Sequence, residues 1–175
     1  MADAATARPR RAAATRRDWE HTVKPAVIAQ LALMATTTKN GLTINAGPAG
    51  VNVLSTITGG AAVANGAYNS STGVHAEIDA ITTLGAANWN QALTITTNKE
   101  PCPRCAVILQ AFVGAHNWTV RAPANAFASN YVGAYLLPDN ILTLVIQQLA
   151  PALAGDEGTY FRAKIKEVIV GFAVQ

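Results

Sequence analysis

His75, Cys102 and Cys105 carry an imidazole and two thiols, the side-chain types that bind zinc. The cysteines are three residues apart, so in the first turn of a helix both sulfur atoms lie on the same side and can bind one ion. Pro103 between them favours a helix start, whose partial positive charge stabilises the metal-binding thiolate form. Structural zinc sites have four protein ligands, whereas catalytic ones have three and a water molecule. Three ligands therefore predict a hydrolytic site.

The residues around these positions extend the pattern. The run from His75 to Ile81 and the run from Glu100 to Cys105 resemble the two motifs of the cytidine-deaminase-like superfamily of zinc deaminases. They look most like its guanine deaminase and tRNA adenosine deaminase branch, and the resemblance covers roughly residues 69–122. It implies a three-layer α/β/α fold with a mixed sheet of about five strands.

The resemblance also implies a role for each residue. His75, Cys102 and Cys105 would ligate Zn2+, while Glu77 would stay off the metal and carry protons. His75 and Glu77 are two residues apart, but both can face the metal if His75 lies at a helix start. A lone Cys-x-x-Cys is often a structural zinc half-site or a redox pair, and an inactive relic would keep the same residues. Both motifs in this order, each at a predicted helix start, favour the deaminase site.

The implied activity is hydrolytic deamination of a free nucleobase, a nucleoside or a related aminated heterocycle, with guanine as the first substrate to test. Such relatives commonly form dimers or larger assemblies, so we expect a homo-oligomer. Two other functions stay open. An RNA- or DNA-editing deaminase would need a basic rim to hold phosphates, and a non-catalytic zinc scaffold would have no task for Glu77.

Two asparagines are candidates for binding the substrate. In the superfamily an asparagine shortly before the histidine holds the base or sugar, and Ala67-Tyr68-Asn69 resembles the Gly-Trp-Asn of tRNA adenosine deaminases. Asn69 is the first candidate, and Asn65, at a more typical distance from His75, is the second. Either could instead serve turn geometry, because the segment is rich in Asn, Gly and Ser.

Four further residues have weaker signals. Tyr131, Tyr135 and Asp139 follow a predicted strand at the place where the superfamily commonly shapes its pocket. Arg104 lies between the two cysteines, and a charged residue there is expected on a solvated face.

The first half of the chain predicts one helix and a hairpin. Apolar residues recur at three- and four-residue steps over 22–38, as in an amphipathic helix. Short β-branched runs at 42–46 and 51–58, with Gly47-Pro48 between them, predict an antiparallel hairpin. Loops are expected at Gly59-Gly60 and at 65–73.

The second half predicts a strand-helix-strand unit behind a helix. Helices are expected at 75–86 and 102–114, and strands at 93–97 and 118–121. The two strands should pair in parallel, because a helix connects them. A helix is predicted over 138–149, whereas 160–175 could be helical or could end in a strand at 168–172.

Length and composition favour one cytoplasmic domain. The chain has 175 residues, half of them hydrophobic, enough for one core. We expect a disordered Arg/Ala-rich tail over residues 1–17 and a zinc-dependent deaminase domain over 18–175. Both cysteines belong to one motif, so a disulfide framework is not expected. No apolar stretch reaches the roughly 20 residues that span a bilayer, so no membrane partner is expected.

The net charge of +3 comes from the tail. Five of the 13 basic residues lie before residue 18, so residues 18–175 carry eight basic and nine acidic side chains. Neutralising phosphates supplies most non-specific nucleic-acid affinity. A small molecule is therefore the expected partner rather than a nucleic acid.

Overall fold

The computed structural model describes residues 16–42, 53–123, 133–153 and 159–173. The helices in these residues are α1 (Lys24–Gly41), α2 (Ala76–Leu84), α3 (Pro103–Ala115), α4 (Asp139–Gln148) and α5 (Thr159–Val170). The strands are β1 (Leu54–Gly59), β2 (Ala62–Ala67), β3 (Leu93–Thr97) and β4 (Trp118–Arg121). A π-helical turn, Trp19–Val23, leads into α1, and short 3-10 turns lie at Ala86–Asn88 and Ala150–Leu153.

The four strands form one mixed sheet in the order β2-β1-β3-β4. Strand β1 pairs antiparallel with both β2 and β3, and β3 pairs in parallel with β4. The predicted parallel strands have the predicted bounds, and α3 connects them as expected. An α/β fold with a mixed sheet is thus confirmed, with four strands in the described residues instead of about five.

The predicted hairpin assigned the wrong partner strand to β1. Strand β1 pairs with the strand that follows it, with Gly59 opposite Ala62. The predicted strand 42–46 lies outside the described residues beyond Leu42. The predicted loop also began too early, since β2 continues to Ala67. Small residues that resemble a loop in sequence are used here for packing: Ala64 and Gly66 are buried under helix α2.

The other helices cover apolar positions as their periodicity predicts. Helix α3 packs against α1 and α4, and its buried side chains Ile108 and Phe112 lie in the main core. The ambiguous C-terminal region is helical: α5 buries Phe161, Ile165 and Ile169 at four-residue steps, so the alternative strand at 168–172 is wrong. The helix predicted from residue 138 is confirmed as α4.

The predicted tail is only partly within the described residues. Arg16 and Arg17 are helical and exposed, and residues 1–15 lie outside the described part. Among the described helices, none combines the length and the apolar character needed to cross a membrane.

Candidate metal centre

The start of helix α2 places His75. His75 is the residue before the first helical turn, with an extended backbone (φ −79°, ψ 151°), and its carbonyl accepts the Asp79 N–H at 2.9 Å. The extended backbone frees its side chain from the helical direction, as the two-residue spacing to Glu77 requires. Both side chains are buried, His75 at 4% and Glu77 at 3% exposure.

The start of helix α3 places both cysteines in the same way. Cys102 precedes the helix in extended conformation, Pro103 opens the first turn, and Cys105 follows inside it. The Cys105 N–H donates to the Cys102 sulfur at 3.4 Å, so the sulfur caps the helix. Both thiols are buried and neither forms a disulfide. The predicted role of Pro103 at the helix start is confirmed.

His75, Cys102 and Cys105 form a group that could hold a metal ion, with ligand atoms within 4.8 Å of one another. His75 Nδ1 lies 3.6 Å from the Cys102 sulfur and 3.5 Å from the Cys105 sulfur. In tetrahedral zinc coordination, the usual zinc–sulfur and zinc–nitrogen distances place such atoms about 3.6 Å apart. Two soft sulfurs and one imidazole at this separation fit a zinc ion.

The two thiols differ in their affinity for protons. The pKa of Cys102 is lowered to about 4, chiefly because Cys105 donates a hydrogen bond to its sulfur, with His75 adding to the effect. The pKa of Cys105 is raised well above its usual value, first by burial and then by the neighbouring Cys102. Without metal the pair therefore shares one negative charge and one proton, and binding a dication would displace that proton.

Glu77 lies beside the ligand group without belonging to it. Burial is the main reason that its pKa rises to about 7, and the charge of Cys102 raises it further. A carboxyl with such a pKa can both accept and donate a proton near neutral pH, as general acid-base catalysis requires.

A small pocket gives access to the centre. Its lining includes Tyr68, His75, Glu77, Lys99, Glu100 and Cys102. Its volume of about 50 Å³ is far below the 300–1,000 Å³ usual for ligand sites, so it has room for water but not for a larger ligand unless it widens. Sequence reasoning missed Tyr68, whose ring packs edge-on against His75 with centroids 5.5 Å apart.

Tyr135 is much closer to the metal ligands than its sequence position indicates. Its hydroxyl lies 3.3 Å from the Cys105 sulfur, and its ring packs edge-on against His75 at a centroid distance of 4.7 Å. Burial and the nearby thiols raise its pKa well above the usual value, so the phenol stays protonated. Thirty residues separate Tyr135 from Cys105, and no local spacing reports such a contact.

The expectation of a solvated Arg104 was wrong. Arg104 is 6% exposed and donates to the Gly133 carbonyl at 3.2 Å and the Val170 carbonyl at 3.0 Å. Its guanidinium lies 4.7 Å from the centre of the Tyr135 ring. The side chain is buried because two carbonyls and an aromatic face satisfy its charge.

Neither asparagine is among the residues that line this pocket. Asn69 Oδ1 accepts hydrogen bonds from the Ser71 N–H, the Ser71 hydroxyl and the Thr72 N–H, which forms the turn before His75. Asn65 is exposed on β2 and accepts from the Thr56 hydroxyl at 3.0 Å. Their predicted roles in substrate binding stay predictions.

Asp139, a further pocket candidate from the sequence, belongs neither to the ligand group nor to the lining of the pocket. Asp139 is exposed at the start of α4, with Arg162 and Lys166 within 4.0 Å and 3.8 Å of its carboxylate. Tyr131 lies outside the described residues.

Neither a protein-family model, nor a curated protein, nor a solved structure matches this chain.

Proposed function

We propose that this protein is a zinc-dependent deaminase of the cytidine-deaminase-like type, with a three-layer α/β/α fold. Hydrolytic removal of an amino group from a free nucleobase, nucleoside or related aminated heterocycle is its proposed reaction. The observation that carries the proposal is a buried carboxyl, Glu77, with a pKa of about 7, next to a His/Cys/Cys group that could hold a metal ion.

The protein residues divide the task in two. His75, Cys102 and Cys105 would hold zinc, which when bound acts as a Lewis acid that activates water. Glu77 takes one proton from the water as its oxygen bonds to the amine-bearing carbon, and gives this proton to a ring nitrogen. It then takes the second proton from the new hydroxyl group and gives it to the amino group, so that the C–N bond breaks, a carbonyl forms and ammonia leaves. Burial suits Glu77 to both transfers, because loss of hydration raises the pKa of the carboxyl and so makes its protonated form accessible.

Guanine is the first substrate to test, on the resemblance of the two motifs to guanine deaminases. A flat heterocycle suits a pocket entrance where Tyr68 offers an aromatic ring beside His75. Lys99 and Glu100 also line the entrance and supply one charge of each sign.

Two alternatives predict different behaviour. A nucleic-acid-editing deaminase would turn over only a polynucleotide, with activity that falls steeply as salt rises. A non-catalytic zinc scaffold would bind metal without releasing ammonia from any substrate. Against the scaffold, burying a carboxyl that is not a metal ligand costs stability, and such groups cluster at functional sites.

The test is an ammonia-release screen of zinc-loaded protein over bases, nucleosides, nucleotides and other aminated heterocycles, followed by Glu77→Gln on the best substrate. Turnover should fall by roughly 10²- to 10⁴-fold, the usual contribution of general acid-base catalysis. Zinc content should stay near the wild-type value, since no ligand is removed. The exposed Glu167→Gln is the matched control and should behave as wild type. Full turnover by zinc-replete Glu77→Gln would refute the mechanism, and loss of zinc would make Glu77 a ligand.

A further inference from the structure

Tyr135 contacts two of the three candidate metal ligands at once. Its hydroxyl lies 3.3 Å from the Cys105 sulfur, and its ring lies against the His75 imidazole at 4.7 Å between centroids. The residue is 6% exposed. When metal is bound both cysteines are thiolates, which have no proton to donate. The Tyr135 hydroxyl is then the donor and the Cys105 sulfur the acceptor.

We propose that Tyr135 is a positioning residue of the metal centre, which donates a hydrogen bond to the Cys105 thiolate and fixes the His75 ring. The proposal rests on the metal-binding part of the proposed function and adds a residue that neither motif contains. Groups that hydrogen-bond to metal ligands commonly set metal affinity and the electron density on the ligand.

Several contacts hold Tyr135 in place. Arg104 lies against its ring at 4.7 Å and donates to the carbonyl of Gly133, two residues earlier. The N–H of the next residue, Leu136, donates to the Gly73 carbonyl at 2.9 Å. Arg104 also binds the Val170 carbonyl at the end of α5. The backbone on both sides of Tyr135 is therefore hydrogen-bonded, and Arg104 and His75 pack against its ring.

The hydrogen bond has an electronic consequence. A donor at a thiolate draws electron density from the sulfur, so the sulfur gives less charge to the metal. A bound metal would then polarise its other ligand more strongly than it would if the Cys105 thiolate accepted no hydrogen bond from a hydroxyl. The Cys105 sulfur has the Tyr135 hydroxyl at 3.3 Å, whereas the Cys102 sulfur accepts from the Cys105 N–H at 3.4 Å, so the two sulfurs are inequivalent ligands.

The experiment replaces zinc by Co2+, whose sulfur-to-metal charge-transfer absorption reports the electron density on the thiolates. In Tyr135→Phe the ring stays and only the hydroxyl is lost, so the band should move to lower energy. Zinc affinity, measured by competition with a chromophoric chelator, should fall by about tenfold or more. Tyr160→Phe is the matched control, because Tyr160 packs beside Phe161 in α5, and it should change neither value.

A second probe covers the case in which Tyr135→Phe folds poorly. Protein labelled with 3-fluorotyrosine has a more acidic phenol, which donates more strongly, so the cobalt band of the wild type should move to higher energy. An unmoved band in both probes, or an equal shift in Tyr160→Phe, overturns the role of Tyr135. A wild-type protein that binds neither Zn2+ nor Co2+ overturns the metal site, and the role of Tyr135 with it, whereas an unmoved band in a protein that binds metal overturns the role of Tyr135 alone.

Discussion

At the scale of single residues, the centre depends on local backbone at two helix starts. His75 lies just before α2 and Cys102 just before α3, and both have an extended backbone. Their side chains can therefore face one another between the two helix starts. Cys105 joins them from inside the first turn. Burial removes one imidazole and two thiols from water, and a metal ion that coordinates all three would offset this cost. Metal binding should therefore contribute strongly to folding.

We expect zinc removal to destabilise the wild type. At free zinc a thousandfold above the dissociation constant, the bound ion contributes about 4 kcal/mol to the free energy of unfolding. A strong chelator should therefore lower the melting temperature clearly, as measured by circular dichroism. Cys105→Ala removes a ligand, so it should melt lower without chelator and show little further change with it. If the melting temperature of the wild type were the same with and without chelator, a metal-stabilised core would be contradicted.

At the scale of elements, helix α2 must approach the sheet very closely to bring its first turn to the cysteines. It packs against β2 at Gly66, where a side-chain carbon would collide with backbone atoms of Ala76 and Ala80. Ala76 is the residue after His75, so Gly66 lies directly under the ligand-bearing turn. Asn65-Gly66 resembles a loop in the sequence but lies inside strand β2, where Gly66 packs against α2.

Gly66→Ala should therefore disturb both stability and metal binding. The added methyl meets backbone rather than a flexible side chain, so the cost should reach about 3 kcal/mol, the upper end for overpacking. Displacing α2 should also weaken zinc binding, measured by chelator competition. Gly41→Ala is the matched control, because a side-chain carbon there meets nothing within 4 Å. A variant with wild-type melting and zinc affinity would show that α2 can move away without loss.

At the scale of the whole molecule, charge separates the tail from the rest of the chain. Residues 18–175 carry eight basic and nine acidic side chains, while five arginines precede them. Of these five, Arg16 and Arg17 already belong to the helical part that the structure describes. A small-molecule enzyme does not need the remaining positive charge near its N-terminus, whereas a nucleic-acid enzyme could use it.

Because the sequence predicts a disordered tail, deleting residues 1–15 should leave stability within about 0.5 kcal/mol of the wild type. Turnover of the small substrate should also persist, with little dependence on salt. The measurements are thermal melting and steady-state rates between low and high ionic strength. Activity that needs a polynucleotide, and that disappears with the deletion or with added salt, would support the editing alternative instead.

The sequence by itself determined the features that depend on short spacing. Cys102 lies just before the first turn of α3 and Cys105 inside it, Pro103 marks the start of that turn, and the bounds of β3 and β4 follow from short apolar runs next to turn residues. Each of these signals lies within a few residues of the structure it predicts, so local propensity and periodicity are enough. The candidate metal ligands His75, Cys102 and Cys105 could be proposed from the sequence for the same reason.

Only the tertiary structure decided the features that depend on contacts between distant segments. The choice of β2 as the partner of β1, the burial of Arg104 and the approach of Tyr135 to Cys105 all depend on which surfaces meet after folding. Local sequence carries no record of these contacts, because a strand edge, a guanidinium or a phenol can be satisfied by many partners. Burial also raises the pKa of Glu77 to about 7, and the tertiary structure alone shows this burial.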